Sequence, residues 1–127
     1  MKKLLKALFS KETCTAGFNI SQPNNLTAAD PDKDGITLFD LTLNNDAVLE
    51  GLPITEYTVA YFPTEKLARG NKHAIPTPWK YHNNIPKRET VFVRVSSTSN
   101  PDEYAIASFT LTAEPDVINQ NSYDMVF

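Results

Sequence analysis

Residues 30–41, Asp-Pro-Asp-Lys-Asp-Gly-Ile-Thr-Leu-Phe-Asp-Leu, run from an acidic turn directly into an alternating apolar segment. Asp30, Asp32 and Asp34 place three carboxylates on this turn, and Gly35 supplies the permissive backbone that a tight turn needs. The alternation after the turn is typical of a half-buried β-strand. The stretch therefore predicts a β domain, and its turn has two interpretations: a cation site, or the solvated tip of a hairpin.

Other segments of the chain also have the composition of short strands, and turns rather than long helices separate them. Glu89–Ser96 has the clearest pattern, because Val91, Val93 and Val95 share one face of the strand. Short helical turns are predicted at 44–51 and 63–70, and a polar loop at 21–29. The predicted strands are Gly17–Ile20, Ile36–Leu43, Tyr57–Phe62, Glu89–Ser96 and Tyr104–Ala113. Several short strands without a long helix predict an all-β fold of the β-sandwich type.

Length and charge predict a single domain with two unlike ends. The 127 residues suffice for one core, and a net charge of −3 does not favour a general nucleic-acid-binding surface. Four lysines lie among the first twenty residues, whereas no lysine or arginine follows Arg94. We expect a basic amphipathic arm at 1–16, a β-sandwich domain at 17–115 and an acidic tail at 116–127. The blander interpretation of both ends is a pair of solvated termini.

Apolar side chains in the two arms are candidates for contacts with a protein partner. An amphipathic helix in the N-terminal arm would be too short to be stable alone, so it would need a surface to lie on. Trp79, between Pro78 and Lys80, is either an exposed binding aromatic or a cap on one end of the sandwich. The candidate partner-binding residues are Leu4, Leu5, Leu8, Phe9, Trp79 and Phe127.

Cysteine usage and the N-terminal sequence predict folding in the cytoplasm. Cys14 is alone in the sequence, so no intrachain disulfide and no thiolate zinc site can form. The N-terminus begins like a secretory signal, but Lys6 interrupts the apolar run and no small-residue cleavage site comes after it. No stretch of the sequence is long and apolar enough to predict a membrane span.

The order of the motifs resembles one group of proteins over about residues 28–115. The acidic turn is followed by Phe-Asp-Leu-Thr at 39–42, Tyr-Thr-Val-Ala-Tyr-Phe at 57–62, Glu-Thr-Val-Phe-Val-Arg-Val at 89–95 and a last strand from Tyr104. This frame is similar to the immunoglobulin-like repeat modules of large secreted surface proteins of Bacteroidota, associated with gliding motility and type IX secretion. The resemblance implies an immunoglobulin-like β-sandwich that acts as a spacer or adhesive unit.

Two departures from that family pattern bear on function. In the modules that this chain resembles, one cysteine commonly precedes the acidic turn and another precedes the tyrosine of the last strand. This sequence has Ala28-Ala29 and Asp102-Glu103 at those places, so both partners of the usual bridge are absent. Loss of both cysteines is typical of a protein that folds in a reducing compartment.

These observations lead to two hypotheses about function, neither enzymatic. The first is a virion structural protein, a decoration or auxiliary protein of the head or tail of a phage infecting Bacteroidota, assembled in the host cytoplasm and bound to capsid or other virion subunits or to further copies of itself. The second is an adhesin-like module at the cell surface or secreted. A surface glycan ligand has no support in the sequence, and fold analogy alone does not give function.

Motifs for chemistry are sparse. Asp30, Asp32, Asp34 and Gly35 match the opening of a calcium loop, but its ninth and twelfth positions fall on Leu38 and Leu41, where oxygen ligands are expected. A structural calcium ion held by the three aspartates is therefore the one cofactor that the sequence suggests. The two histidines, His73 and His82, are interpreted as surface residues. No nucleophile–base pattern or carboxylate pair of a hydrolase is recognisable.

Overall fold

The computed structural model describes residues 18–115, which form short strands, two short α-helices and two 3-10 turns. The strands are β1 (Leu26–Asp30), β2 (Leu38–Phe39), β3 (Tyr57–Phe62), β4 (Tyr81–His82), β5 (Arg88–Ser97) and β6 (Tyr104–Pro115). The helices are α1 (Asn45–Leu49) and α2 (Glu65–Gly70), and the 3-10 turns are Leu41–Asn44 and Pro78–Lys80. The all-β prediction is confirmed. The predicted arms, 1–16 and 116–127, lie outside the described residues.

The strands form a four-stranded sheet, in the order β1-β6-β5-β3, and a small two-stranded sheet of β2 and β4. Strand β5 pairs antiparallel with β3 on one side and with β6 on the other, and a short connection joins it to β6. Strand β1 pairs in parallel with β6, with Leu26 opposite Leu111 and Asp30 opposite Pro115. The first and last strands of the domain are therefore neighbours along one edge of the large sheet.

The main core lies between one face of the large sheet and the layer built by β2, α1 and the first 3-10 turn. Val91, Val93 and Val95 of β5 are fully buried, as their alternation predicted. They pack in one cluster with side chains of the opposite layer, namely Phe39, Leu41, Val48 and Leu49. This two-layer arrangement is compatible with a sandwich.

A smaller cluster lies around helix α2, where Phe62, Ala68 and Ile106 are buried. Thr64 caps the start of the helix by accepting a hydrogen bond from the Leu67 amide. Asn71 ends it with a left-handed backbone, φ 53°. The helical turn predicted between Pro63 and Gly70 is therefore confirmed.

Two local predictions are wrong. The predicted strand Ile36–Leu43 is reduced to Leu38–Phe39, because the Asp40 side chain accepts hydrogen bonds from the amide and hydroxyl of Thr42 and starts a 3-10 turn. The predicted loop at 21–29 contains strand β1, while no regular strand occurs at 18–20. Strand β1 consists mostly of small and polar residues, so it lacks the apolar alternation that predicts a strand. Its pairing partner β6 is more than eighty residues away along the chain, so no local signal indicates the pairing.

Within the described residues, no helix is long and apolar enough to cross a membrane.

Candidate functional site

The acidic turn connects β1 to β2 and is closed by its own backbone. The Lys33 amide donates to the Asp30 carbonyl oxygen at 3.0 Å. Lys33 and Gly35 both have positive φ, 54° and 83°, a region that glycine adopts without penalty and lysine rarely visits. The backbone thus folds the chain back within five residues and brings the three predicted carboxylates to one place.

Asp30 is the buried member of the group, with 2% of its surface exposed. Its Oδ2 accepts a hydrogen bond from the Gly35 amide at 2.7 Å. Its Oδ1 is fully buried and has no hydrogen-bond donor among residues 18–115. A buried carboxylate oxygen without a hydrogen-bond partner lowers the stability of the folded state. This atom therefore indicates where a ligand could bind to the turn.

The structure brings the three aspartates together as the sequence predicted. One carboxylate oxygen from each of Asp30, Asp32 and Asp34 lies within 4.8 Å of the others. Asp32 and Asp34 are exposed, and one oxygen of Asp34 accepts from the Ile36 amide at 2.9 Å. Asp40, the other acid near the turn, is instead committed to capping the 3-10 turn.

A buried asparagine fastens the acidic turn to the loop before β5. The Asn83 side-chain oxygen accepts from the Thr37 amide at 2.8 Å, and its side-chain nitrogen donates to the carbonyls of Gly35 and Ile85 at 2.8 and 2.9 Å. Any Cβ at Gly35 would lie 2.9 Å from Cβ of Pro86. The turn and this loop are therefore in direct contact. No motif in the sequence indicates this role of Asn83.

Glu89 holds the other side of the same loop. It is 3% exposed and accepts hydrogen bonds from the Asn84 and Ile85 amides, at 2.5 and 3.1 Å, and from the Tyr81 hydroxyl at 2.6 Å. A signal for this burial existed in the sequence, because Glu89 has the same alternation phase as the three core valines of β5. Burial, then the hydrogen bond to Glu89 and its charge, raise the pKa of Tyr81 above its usual value of 10.0.

The described domain has its first and last residues at opposite ends. Phe18 packs against Tyr57 with the rings tilted and their centroids 4.8 Å apart, and Tyr57 pairs with Ser97 at the end of β5. The chain then runs along β6, since Gln22 donates to the Ser108 carbonyl and Asn25 accepts from the Thr110 amide. It reaches the acidic turn beside Pro115, where β6 ends. We call the first end, at Tyr57 and Ser97, the loop end, and the second, at Asp30 and Pro115, the turn end.

The loop end carries a groove of about 320 Å³, lined by Glu56, Tyr57, Thr98 and their neighbours Thr55, Ser97 and Ser99. Strand β5, whose ten residues run from one end to the other, spans about 30 Å. The two ends are thus well separated, and each has polar groups of its own.

The positions where the resemblance places cysteines lie at different ends of the described domain. Ala29 is opposite Glu114 at the turn end, whereas Glu103 immediately precedes β6 at the loop end. Eleven residues of extended chain separate Glu103 from Glu114, about 35 Å. A disulfide requires Cα atoms about 4.4–6.8 Å apart. Cysteines at these two positions could therefore pair only between different domains.

Trp79 lies in the second 3-10 turn, and 57% of its surface is exposed. It is not a member of either core cluster. Its role as a partner-binding residue stays a prediction. The other candidates, Leu4, Leu5, Leu8, Phe9 and Phe127, lie outside the described residues. His73 and His82 are exposed, as predicted.

The fold and the separated ends define an all-β module. A family model described as the Flavobacterium inter-domain disulphide bond domain matches residues 24–117. The chain belongs to this family, whose description names Flavobacterium, a genus of the Bacteroidota, and this agrees with the Bacteroidota origin that the resemblance implies. The matched segment of this chain contains no cysteine, since Cys14 precedes it. No curated protein and no solved structure matches the chain.

Proposed function

We propose that this protein is a non-enzymatic structural module that connects protein neighbours at its two ends. The observation that carries the proposal is the path of the chain, which enters the described domain at the loop end and leaves it at the turn end. A domain with this path sets a distance between the neighbours bound at either end. A family named for a disulfide between domains supports the same use of the ends.

The buried polar side chains support a structural role, because they hold loops in place. Asn44 accepts from the Asn24 amide at 2.7 Å and donates to its carbonyl at 2.9 Å, which fixes the segment before β1. Arg94 donates to the carbonyls of Ala68 and Arg69 at the end of α2 and to that of Pro101. These groups fix the shape of the module.

We also propose that this all-β module is an immunoglobulin-like sandwich. Strands β3, β5 and β6 are consecutive neighbours in the sheet, as the C, F and G strands of that fold are. The opposing layer here is short, with β2 and β4 of two residues each. The strand order therefore supports the assignment more strongly than the second layer does.

As the setting of this module we propose a virion of a phage infecting Bacteroidota, in which the protein decorates the head or tail and binds neighbouring virion subunits. Positions 28–29 and 102–103 hold no cysteine, so no disulfide can form at these positions, which suits assembly in a reducing cytoplasm. The alternative is a cell-surface or secreted adhesin-like module, which the lineage of the family favours.

Fractionation of the source culture separates the two settings. Antibody against the protein is used on gradient-purified particles, on washed cells before and after protease treatment, and on culture medium. A virion component bands with the particles at a fixed ratio to the capsid protein. Protease-sensitive protein on intact cells would replace the virion hypothesis with the surface module, and confinement to the cell interior without particles would contradict both.

The terminal arms are the proposed contact elements, and deletion tests them. A variant without residues 117–127 is first shown to unfold cooperatively, and its incorporation into the particle or oligomer is then measured. Burial of the Phe127 side chain on a neighbour contributes about 1.5–3 kcal/mol before ordering costs, so incorporation should fall strongly. Substitutions Leu4→Ser and Phe9→Ser examine the N-terminal arm in the same assay. Normal incorporation of all variants would remove the arms from the proposal.

A further inference from the structure

We infer that the acidic turn is a calcium site in which Asp30, Asp32 and Asp34 are ligands and whose role is to stabilise the turn end. This site is independent of the setting proposed above. Two separate observations support it: the convergence of three carboxylates, and the buried, unpartnered Oδ1 of Asp30.

The unpartnered oxygen identifies the kind of ligand. Asp30 is 2% exposed, so water has little access to its carboxylate. Its Oδ2 is satisfied by the Gly35 amide, but Oδ1 has no donor among the described residues. A buried carboxylate is stable when a positive group or a metal ion compensates its charge. A divalent cation fits this place, because it accepts electron pairs from oxygen and carries positive charge.

Side chains of the described domain do not supply that charge. Neither lysine nor arginine among residues 18–115 forms an ion pair with Asp30, Asp32 or Asp34. Lys33 lies inside the turn, and Lys87 lies beside it, since the Lys87 amide donates to the Gly35 carbonyl at 2.8 Å. Three carboxylates that converge without a paired cation repel one another, and a divalent cation removes this repulsion.

The spacing suits calcium. Calcium binds oxygen at about 2.3–2.6 Å and accepts six to eight oxygen ligands in flexible geometry. Ligand oxygens on opposite sides of such an ion are about 5 Å apart, which accommodates three oxygens that all lie within 4.8 Å of one another. The carboxylates of Asp30, Asp32 and Asp34 would supply three protein oxygens, and backbone carbonyls or water would complete the shell. Magnesium demands stricter octahedral geometry and is the poorer fit.

The site differs from a helix–loop–helix calcium loop in its second half. The position of the usual bidentate glutamate holds Leu41, which is fully buried in the main core. Fewer charged ligands place the expected dissociation constant in the weak range, about 10⁻⁴–10⁻³ M. An ion bound there would join the end of β1 to the turn that Asn83 fastens to the loop before β5.

The test is calcium titration of the metal-stripped full-length protein by calorimetry and by thermal unfolding. We expect one site per chain and an unfolding midpoint that rises with calcium concentration, because the ion binds the folded state only. Magnesium and an equal ionic strength of sodium chloride serve as comparison arms. An equal rise of the midpoint with sodium chloride would reduce the effect to screening and overturn the site.

Three variants locate the ion. Asp32→Asn removes an exposed ligand without touching the core, and its calcium affinity should fall at least about tenfold, since affinity depends on the number of charged ligands. Glu56→Gln removes one exposed carboxylate at the loop end and should leave the affinity unchanged. Asp30→Asn should abolish binding while the metal-free midpoint stays the same or rises, because an uncompensated buried charge is removed. Unchanged affinity in Asp32→Asn would contradict the assignment.

Discussion

At the scale of single residues, two glycines with the same backbone conformation have different surroundings. Gly35 and Gly51 have φ of 83° and 85°. A Cβ at Gly35 would lie 2.9 Å from Cβ of Pro86 and 3.1 Å from the Lys87 amide nitrogen, whereas one at Gly51 would meet nothing within 4 Å. Alanine at Gly51 thus measures the loss of stability from the positive φ alone, whereas alanine at Gly35 adds the loss from the contact of its Cβ with the loop before β5.

We expect Gly51→Ala to lower the free energy of unfolding by about 1 kcal/mol, from backbone strain alone. Gly35→Ala should cost about 2–3 kcal/mol, because the methyl group also pushes the acidic turn away from the loop before β5. Chemical denaturation of both variants measures the difference. Equal losses would show that the turn moves freely to accept the methyl group.

The hydroxyls of two tyrosines, the buried Tyr61 and the half-buried Tyr81, predict how stability responds to alkaline pH. Burial, and in second place the charge of Asp40, raise the pKa of Tyr61, whose hydroxyl donates to Asn45 at 2.7 Å. The pKa of Tyr81 is raised as well. A raised pKa means that the folded state retains the proton which the unfolded chain loses near pH 10.

The stabilising contribution of both tyrosines is therefore complete below about pH 10 and declines as pH rises toward the folded pKa values. We expect the free energy of unfolding to fall steeply above pH 10 and the double variant Tyr61→Phe, Tyr81→Phe to fall less steeply. Denaturation at pH 8, 10 and 11 measures the slopes. An identical slope in the variant would show that other groups control alkaline unfolding. The quantity compared is the slope of the free energy of unfolding against pH, so the absolute stability of the variant does not affect the result.

At the scale of elements, Arg94 joins strand β5 to helix α2 and to the loop before β6. Its guanidinium donates to the carbonyls of Ala68, Arg69 and Pro101 at 2.9, 3.2 and 2.8 Å, and it lies 3.8 Å from the centre of the Tyr104 ring. A planar fork with several donors suits this task, whereas the lysine ammonium is a point charge. Arg94 thus supplies hydrogen-bond donors to backbone carbonyls in the last turn of α2.

We expect Arg94→Lys to lower the free energy of unfolding by about 2 kcal/mol, because buried carbonyls lose charge-assisted hydrogen bonds. The matched control is Arg88→Lys, which changes an exposed arginine of the same strand and should cost less than about 0.5 kcal/mol. A comparably small loss for Arg94→Lys would mean that water replaces the guanidinium at the helix end.

At the scale of the whole molecule, the opposite ends of β6 predict how two introduced cysteines can pair. In a Cys14→Ser background, Ala29→Cys and Asp102→Cys place thiols at the turn end and at the loop end, about 35 Å or more apart along the strand. Oxidation should therefore give disulfide-linked dimers and longer chains on a non-reducing gel. The single variants should stop at dimers.

A compact oxidised monomer without free thiols would contradict the register of β1 on β6. Chains longer than dimers, formed at low protein concentration from the double variant alone, would in addition show that the two ends meet in solution. Mass spectrometry of the oxidised products identifies which thiols have joined.

The amino-acid sequence by itself determined the elements whose signals are local. The alternation of Glu89–Ser96, the β-forming residues of Tyr57–Phe62 and the capped turn ending near Gly70 each specify their own structure, because side-chain period and capping act within a few residues. The same locality placed three aspartates on one turn. The local pattern gave a wrong prediction at Asp40. Alternation alone would continue the strand to Leu43, but the Asp40 side chain accepts a hydrogen bond from the Thr42 amide and ends the strand there.

Only the tertiary structure decided the features that depend on distant pairing. Strand β1 exists because β6 offers it an edge, and that contact joins residues more than eighty positions apart. The end of β1 in this pairing is Asp30, whose carboxylate is buried and whose Oδ1 has no hydrogen-bond donor among residues 18–115. The pairing also puts positions 28–29 and 102–103 at opposite ends of the domain. Burial and separation are properties of the packed sheet, so no local pattern of residues could reveal them.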